Sequence, residues 1–372
     1  MRFSTFLIGF LLSFSGIAQI GGKSTYQFLN IISSAKVAAL GGYAIAVPNP
    51  DHEMVYFNPA LIDSSLDREL NLNYVNYFSD INYGFAGYGR TYKKYGTIVA
   101  SIKYIDYGKF LLTDETSAIN GEFRPGETAL TFGWANDFKK GLRYGMNLKF
   151  VMSNFYEYNS FGVLADFGGT YRKPEKGFML ALVVKNIGSQ ITTYTPGNYE
   201  PMPFEIQIGA SQKLKHAPFR FTANFHNLEV LDYYYDSPNE LETTSLFGAD
   251  VVQEDKSNIA ESIFRHFTTG AELLLTDNLN VRIGYNHQRR SELKLRSGSK
   301  SGAVGFNFGL AVKIRKFKIN YGRSIYSLAG TTNHLSISTN FSEYISKKER
   351  IDKKRKEKKT DIINEWRKLQ LQ

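Results

Sequence analysis

Through most of this chain, apolar and polar side chains alternate in segments of about ten residues, and nothing after the first residues is apolar for long enough to cross a bilayer as a helix. A period of two is that of a strand whose faces meet different surroundings. From Leu142 to Met152 every even position is large and apolar, while the odd ones include Arg143, Gly145, Asn147 and Lys149. Segments at Val281 to Tyr285, Val304 to Val312, Phe317 to Tyr321 and Leu335 to Phe341 repeat the pattern. A soluble β-sandwich would bury the even set in a core. A membrane barrel turns it to lipid and leaves the charged set in a wet lumen, where Arg143 and Lys149 cost little in mid-strand. The 24 Tyr and 28 Phe favour the barrel, because such rings at strand ends form its interfacial girdles.

Strands are expected at 69–79, 82–92, 95–107, 127–138, 142–153, 158–172, 177–187, 204–214, 218–229, 264–275, 279–288, 301–313, 316–325 and 333–343. These are about fourteen, an even number as closure requires. Short basic turns such as Lys93-Lys94, Lys139-Lys140 and Arg315-Lys316 alternate with mostly long connections at 108–126, 188–203, 230–263, 289–300 and 326–332. Parity puts the short turns in the periplasm and the long loops outside the cell. Ser79-Asp80-Ile81 is short where a long loop belongs.

Met1-Arg2-Phe3, the apolar run Phe6 to Leu12 and Gly16-Ile17-Ala18 read as a signal peptide, 1–18, cut before Gln19. The absence of Cys excludes a lipoprotein anchor and disulfides, so packing and hydrogen bonds must hold the fold. The net charge is +10. Residues 346–372 carry 11 Lys or Arg against 5 Asp or Glu, whereas 230–263 holds eight carboxylates and only Lys256. The charge is therefore polarised along the membrane normal, and a basic patch without a binding fold does not indicate nucleic acid.

The tail, 344–372, places Ile362, Ile363, Trp366 and Leu369 at helical spacing. It reads either as a short periplasmic helix whose Trp366 contacts a partner or the membrane, or as a solvated tail. Residues 19–68 precede the first strand and are apolar enough to need burial. They read as a hatch in the lumen, with a helix over Ser33 to Leu40 ended by Gly41-Gly42, a Pro48-Asn49-Pro50 turn and an Asn58-Pro59-Ala60 turn or helix start. The barrel itself is expected over 69–343.

Asn58-Pro59-Ala60 in a hatch ahead of about fourteen strands resembles the FadL-like family of outer-membrane barrels. Gly22 to Asn30, Val37 to Gly42, Tyr56 to Leu61, Leu72 to Phe78, Asp80 to Gly84, Ile263 to His266 and Ile283 to His287 resemble more closely the PorV/PorQ group of type IX secretion barrels. That resemblance implies a scaffold in the outer membrane of a Gram-negative bacterium. Its partners would be a PorZ-like surface protein, with PorU and PorV, and membrane lipid or lipopolysaccharide. The work would fall to the outer loops, where Tyr233-Tyr234-Tyr235 offers rigid aromatic area for a partner or packs as an upper girdle.

Chemistry is not expected. The six His, His52, His216, His226, His266, His287 and His334, stand in no metal-ligand spacing. His334 and Ser336 on one strand face read as ordinary lumen groups. Gly22-Lys23-Ser24 lacks the first Gly of a phosphate loop, and Asp51-His52-Glu53 between prolines reads as a solvated turn. The chain is read as a non-enzyme without cofactor or metal. The alternative to the scaffold is a FadL-like conduit for hydrophobic small molecules, against which the confinement of Pro to loops, turns, hatch and strand starts counts, since a lateral opening needs a kinked strand.

Overall fold

The structure, a computed structural model, describes residues 24–77, 80–92, 95–230, 259–292, 302–325 and 330–344. Among these residues sixteen strands follow in chain order. They are β1 (Glu69–Asn76), β2 (Asn82–Tyr92), β3 (Gly96–Asp106), β4 (Phe110–Thr113), β5 (Ile119–Phe123), β6 (Gly126–Lys139), β7 (Leu142–Phe155) and β8 (Tyr158–Lys173), then β9 (Phe178–Thr192), β10 (Glu205–Lys213), β11 (Phe219–Phe225), β12 (Phe267–Thr276), β13 (Leu279–Asn286), β14 (Phe306–Ile314), β15 (Phe317–Ile325) and β16 (Thr331–Asn340). Fourteen of them form one closed antiparallel barrel, sealed by β1 against β16 from Glu69↔Asn340 to Asn76↔Asn333. The fold is all-β, with the strand number that the alternation predicts.

Two local expectations need correction. The segment 108–126, expected as loop, contains the β4–β5 hairpin, whose runs are too short for alternation to separate them from loop. Helices Ile259–Arg265 and His287–Glu292 take the start of the expected strand 264–275 and the end of 279–288, so both strands are shorter than their apolar runs. The tail beyond residue 344 and the signal peptide lie outside the described residues.

The alternation sets the two faces of the wall. Along β7, Met146, Leu148 and Met152 remain 42%, 36% and 53% exposed, while Asn147, Lys149 and Val151 are at most 1% exposed. The outward face is an apolar band that continues on neighbouring strands through Phe132, Leu130 and Ile102. No helix among the described residues is long and apolar enough to cross a membrane.

Much of the inward face is covered by residues 24–68. This segment folds into α1 (Ala35–Ala39), α2 (His52–Phe57) and the 3-10 turns Gln27–Asn30, Pro59–Leu61 and Ser64–Leu66. Phe28, Leu40, Ile45, Met54 and Ile62 form a core with wall residues Val99, Val151 and Val183. Ser34 Oγ accepts the amides of Lys36 and Val37 to start α1, and Gly41 and Gly42 end it with φ of +95° and +99°. The helix touches the wall closely because the wall there lacks side chains. A Cβ on Gly309 would stand 2.4 Å from Ala39 Cβ, and one on Gly322 2.5 Å from the Ala35 carbonyl. The expectation of a wet lumen around Lys149 is therefore corrected: Lys149 is buried and ion-paired, and Arg143, nearer the short-turn mouth, pairs at 3.3 Å with Asp137.

Candidate functional site

The junction of α2 with the wall brings several buried charges together. Asp51 caps α2 by accepting the Met54 amide at 2.8 Å, and its second oxygen accepts Ser34 Oγ at 2.6 Å. Asp51-His52-Glu53 is thus a buried helix start rather than a solvated turn. Glu53 accepts the Ser33 amide at 2.7 Å, Ser33 Oγ at 2.5 Å and the Ser34 amide, which ties α2 to the chain just before α1. Its carboxylate also lies 3.7 Å from Lys103 Nζ on β3. Burial pushes the Glu53 carboxyl up, and Lys103 pulls against that.

Three wall lysines converge on the last turn of α2. Lys149 Nζ lies 4.2 Å from the Tyr56 ring centre, Lys103 Nζ 4.9 Å from Tyr56 and 5.1 Å from Phe57, and Lys185 Nζ 4.9 Å from Phe57. At these distances a desolvated ammonium is held by the ring quadrupole. Each lysine has its own carboxylate as well: Glu53 for Lys103, Asp166 at 2.7 Å for Lys149, and Glu205 at 2.7 Å for Lys185. Lys185 and Glu205 are directly opposed on β9 and β10.

A β-bulge builds the Asp166 corner. The pairing of β8 with β9 slips between Ala165 and Phe167, leaving Lys185 and Asn186 against Asp166 alone. Asn186 takes a φ of +59°, which Asn tolerates better than most residues, and its amide donates to Asp166 Oδ1 at 2.8 Å. The other oxygen holds Lys149, and Asn147 Nδ2 donates to it at 3.2 Å. Asn147 reaches α2 too, through the Tyr56 carbonyl at 2.9 Å.

Asn58, Pro59 and Ala60 sit directly after this turn. Asn58 Oδ1 accepts the Ala60 amide at 3.0 Å, its Nδ2 donates to the Ile45 carbonyl at 2.7 Å, and Pro59 opens the following 3-10 turn. The wall beneath is bare. A Cβ on Gly145 would come 2.5 Å from Pro59 C, and one on Gly168 2.3 Å from Asn58 Oδ1. Tyr233, Tyr234, Tyr235 and Trp366 lie outside the described residues. Ser336 Oγ accepts the Ala35 amide at 2.9 Å, while His334 is bonded to Thr332.

Reading the sequence missed Lys103, Lys185, Asp166 and Glu205, and took Glu53 for part of a solvated turn. The signal was a charge at a lumen-parity position of a strand, as at Lys149, but the carboxylate it meets comes from another strand or from α2. Only register reveals it.

The sequence matches no protein-family model and no curated protein. Solved structures resemble its fold. The toluene transporter TodX of P. putida superposes with a TM-score of 0.50 at 12% identity, over 82% of this chain and 97% of TodX. The Ralstonia pickettii toluene transporter TbuX gives 0.47 at 11% identity, over 84% of this chain and 99% of that one. A Pseudomonas aeruginosa FadL homologue gives 0.43 at 9%, over 83% and 98%. Identities this low mark a shared fold and no more.

Proposed function

We propose that this chain is an outer-membrane barrel of a Gram-negative bacterium, closed by its own N-terminal segment and working as a scaffold. In its finer form, suggested by the sequence resemblance, it is a type IX secretion subunit that holds a PorZ-like surface protein in the attachment complex. The observation that supports a scaffold is the junction of α2 with the wall. Three buried ion pairs and two aromatic rings interlock inside the barrel, and the cavity among Ile32, Ile45, Met54 and Phe57 has a volume of about 10 Å3, room for roughly one water. A barrel filled in this way has its free surfaces at its ends, where partners bind.

The second reading is a conduit for hydrophobic small molecules. Two observations favour it: the fold neighbours named above include toluene transporters, and β8 and β9 carry two register slips, the bulge element a bent wall needs. The comparisons lean toward this reading more than toward the scaffold. Transport would require α2 to leave its three lysines.

Mass spectrometry of the barrel purified in mild detergent separates the two. Large surface proteins in stoichiometric amount are the expected outcome. A bound hydrophobic small molecule without protein partners would overturn the scaffold in favour of the conduit.

A further inference from the structure

A second charged region lies apart from the α2 junction. Between Pro48-Asn49 and the wall from β11 round to β1, a cavity of about 290 Å3 opens at the short-turn mouth. Six cationic side chains line it: Lys36, Arg220, Arg282, Lys313, Lys316 and Lys318. Four carboxylates share the lining, and two of them are already engaged. Glu272 accepts from Arg220 at 3.0 Å and from Arg282 at 2.8 Å, and Glu343 lies 3.5 Å from Lys313. With the other two, Glu69 and Asp277, counted, the lining carries a formal surplus of two positive charges.

Donors are left over as well. Arg220 Nε is buried without a hydrogen-bond partner, although a desolvated guanidinium N–H is costly to leave unmade. Lys36 Nζ donates to the Asn49 carbonyl at 2.9 Å, and its charge is answered in part by Glu272 and Asp51. Lys318 lines the same cavity, and the Glu69 carboxylate is the charge that faces it. A doubly charged anion with several acceptor oxygens answers both the charge surplus and the spare donors, and phosphate is the common group that does so. The volume is near the lower bound of about 300 Å3 for small-molecule sites, which suits a phosphate on a small body.

We propose that this vestibule binds a phosphate group presented from the short-turn side, carried by a soluble phosphate compound or by a lipid headgroup. The proposal does not depend on the scaffold reading, since a conduit would offer the same cavity.

The test uses the full chain in non-ionic detergent. Inorganic phosphate and, separately, a short-chain phosphatidic acid, whose monoester phosphate can carry two charges, are titrated by calorimetry at constant ionic strength. Saturable binding of phosphate at about millimolar concentration or below is expected, with Lys318→Gln weakening it about tenfold, the cost of one charge-assisted hydrogen bond. Asn280→Asp adds a carboxylate to the same cavity and should weaken binding similarly, which guards against a folding defect in either variant alone. Binding of both probes points to a soluble compound, and binding of the lipid alone to a headgroup. Absence of saturable binding for both probes overturns the proposal, and so does binding that both substitutions leave unchanged.

Discussion

The Lys149 ammonium lies 2.7 Å from the Asp166 carboxylate, and both side chains are closed to solvent. An ion pair so placed contributes little compared with an apolar pair of the same shape, but losing one partner leaves a bare charge. Lys149→Met should therefore destabilise the barrel by about 3–5 kcal/mol, while Lys149→Met combined with Asp166→Leu should cost clearly less than the sum of the two single changes. Thermal unfolding of the four proteins in detergent measures this. Additive costs would mean that the two groups do not interact.

Glu53→Gln keeps the shape of the side chain and removes the charge facing Lys103. The N-terminal segment should loosen while the wall persists. Limited proteolysis should then cleave within residues 24–68 at a faster rate than in the parent protein, with the strands still protected. Equal cleavage rates would show that Glu53 does not hold the segment in place.

Acid should weaken the same junction through His52. Both ring nitrogens of this fully buried residue lack a hydrogen-bond partner, and burial lowers its pKa from 6.5 to about 4. Between these values the unfolded chain takes up a proton that the folded one refuses, so stability falls as pH drops from about 6.5 toward 4, by up to about 3 kcal/mol. The Asp51 carboxylate works against burial and keeps the loss smaller. His52→Leu should flatten this part of the profile of melting temperature against pH. An unchanged slope would assign the acid sensitivity to other groups.

Gly145 leaves room for Pro59, and Gly145→Val would press a side chain onto its backbone. Overpacking of this kind costs about 1–3 kcal/mol. The expected result is a displaced N-terminal segment in a barrel that still shifts on an unheated gel. Full loss of the folded band would instead make the contact essential to the wall.

Phe132 and Leu148 are directly opposed on the outward face of β6 and β7. Phe132→Arg should cost about 2–4 kcal/mol if acyl chains cover that face at mid-depth. A neutral effect in phospholipid bilayers would contradict the lipid-facing assignment.

The wall was legible because its period is local: Met146, Leu148 and Met152 identify their face from eleven residues of sequence. The filling of the lumen around Lys149 was not. Lys149 reads the same whether its side of the strand meets water or a folded segment that fills the interior, and the difference rests on Tyr56, more than ninety positions earlier. The bulge at Asn186 was equally hidden, since no Pro or Gly marks that position and only the slipped pairing with Asp166 reveals it.

The closing seam of β1 on β16 also sets an order of assembly. Residues 24–68 lie inside a ring whose closing stave, β16, is the last strand among the described residues. The simplest route is for the N-terminal segment to be gathered into the curling sheet before that stave docks. A chain cut short before Thr331 would leave β1 and β15 with unpaired edges facing each other across a gap beside the N-terminal segment.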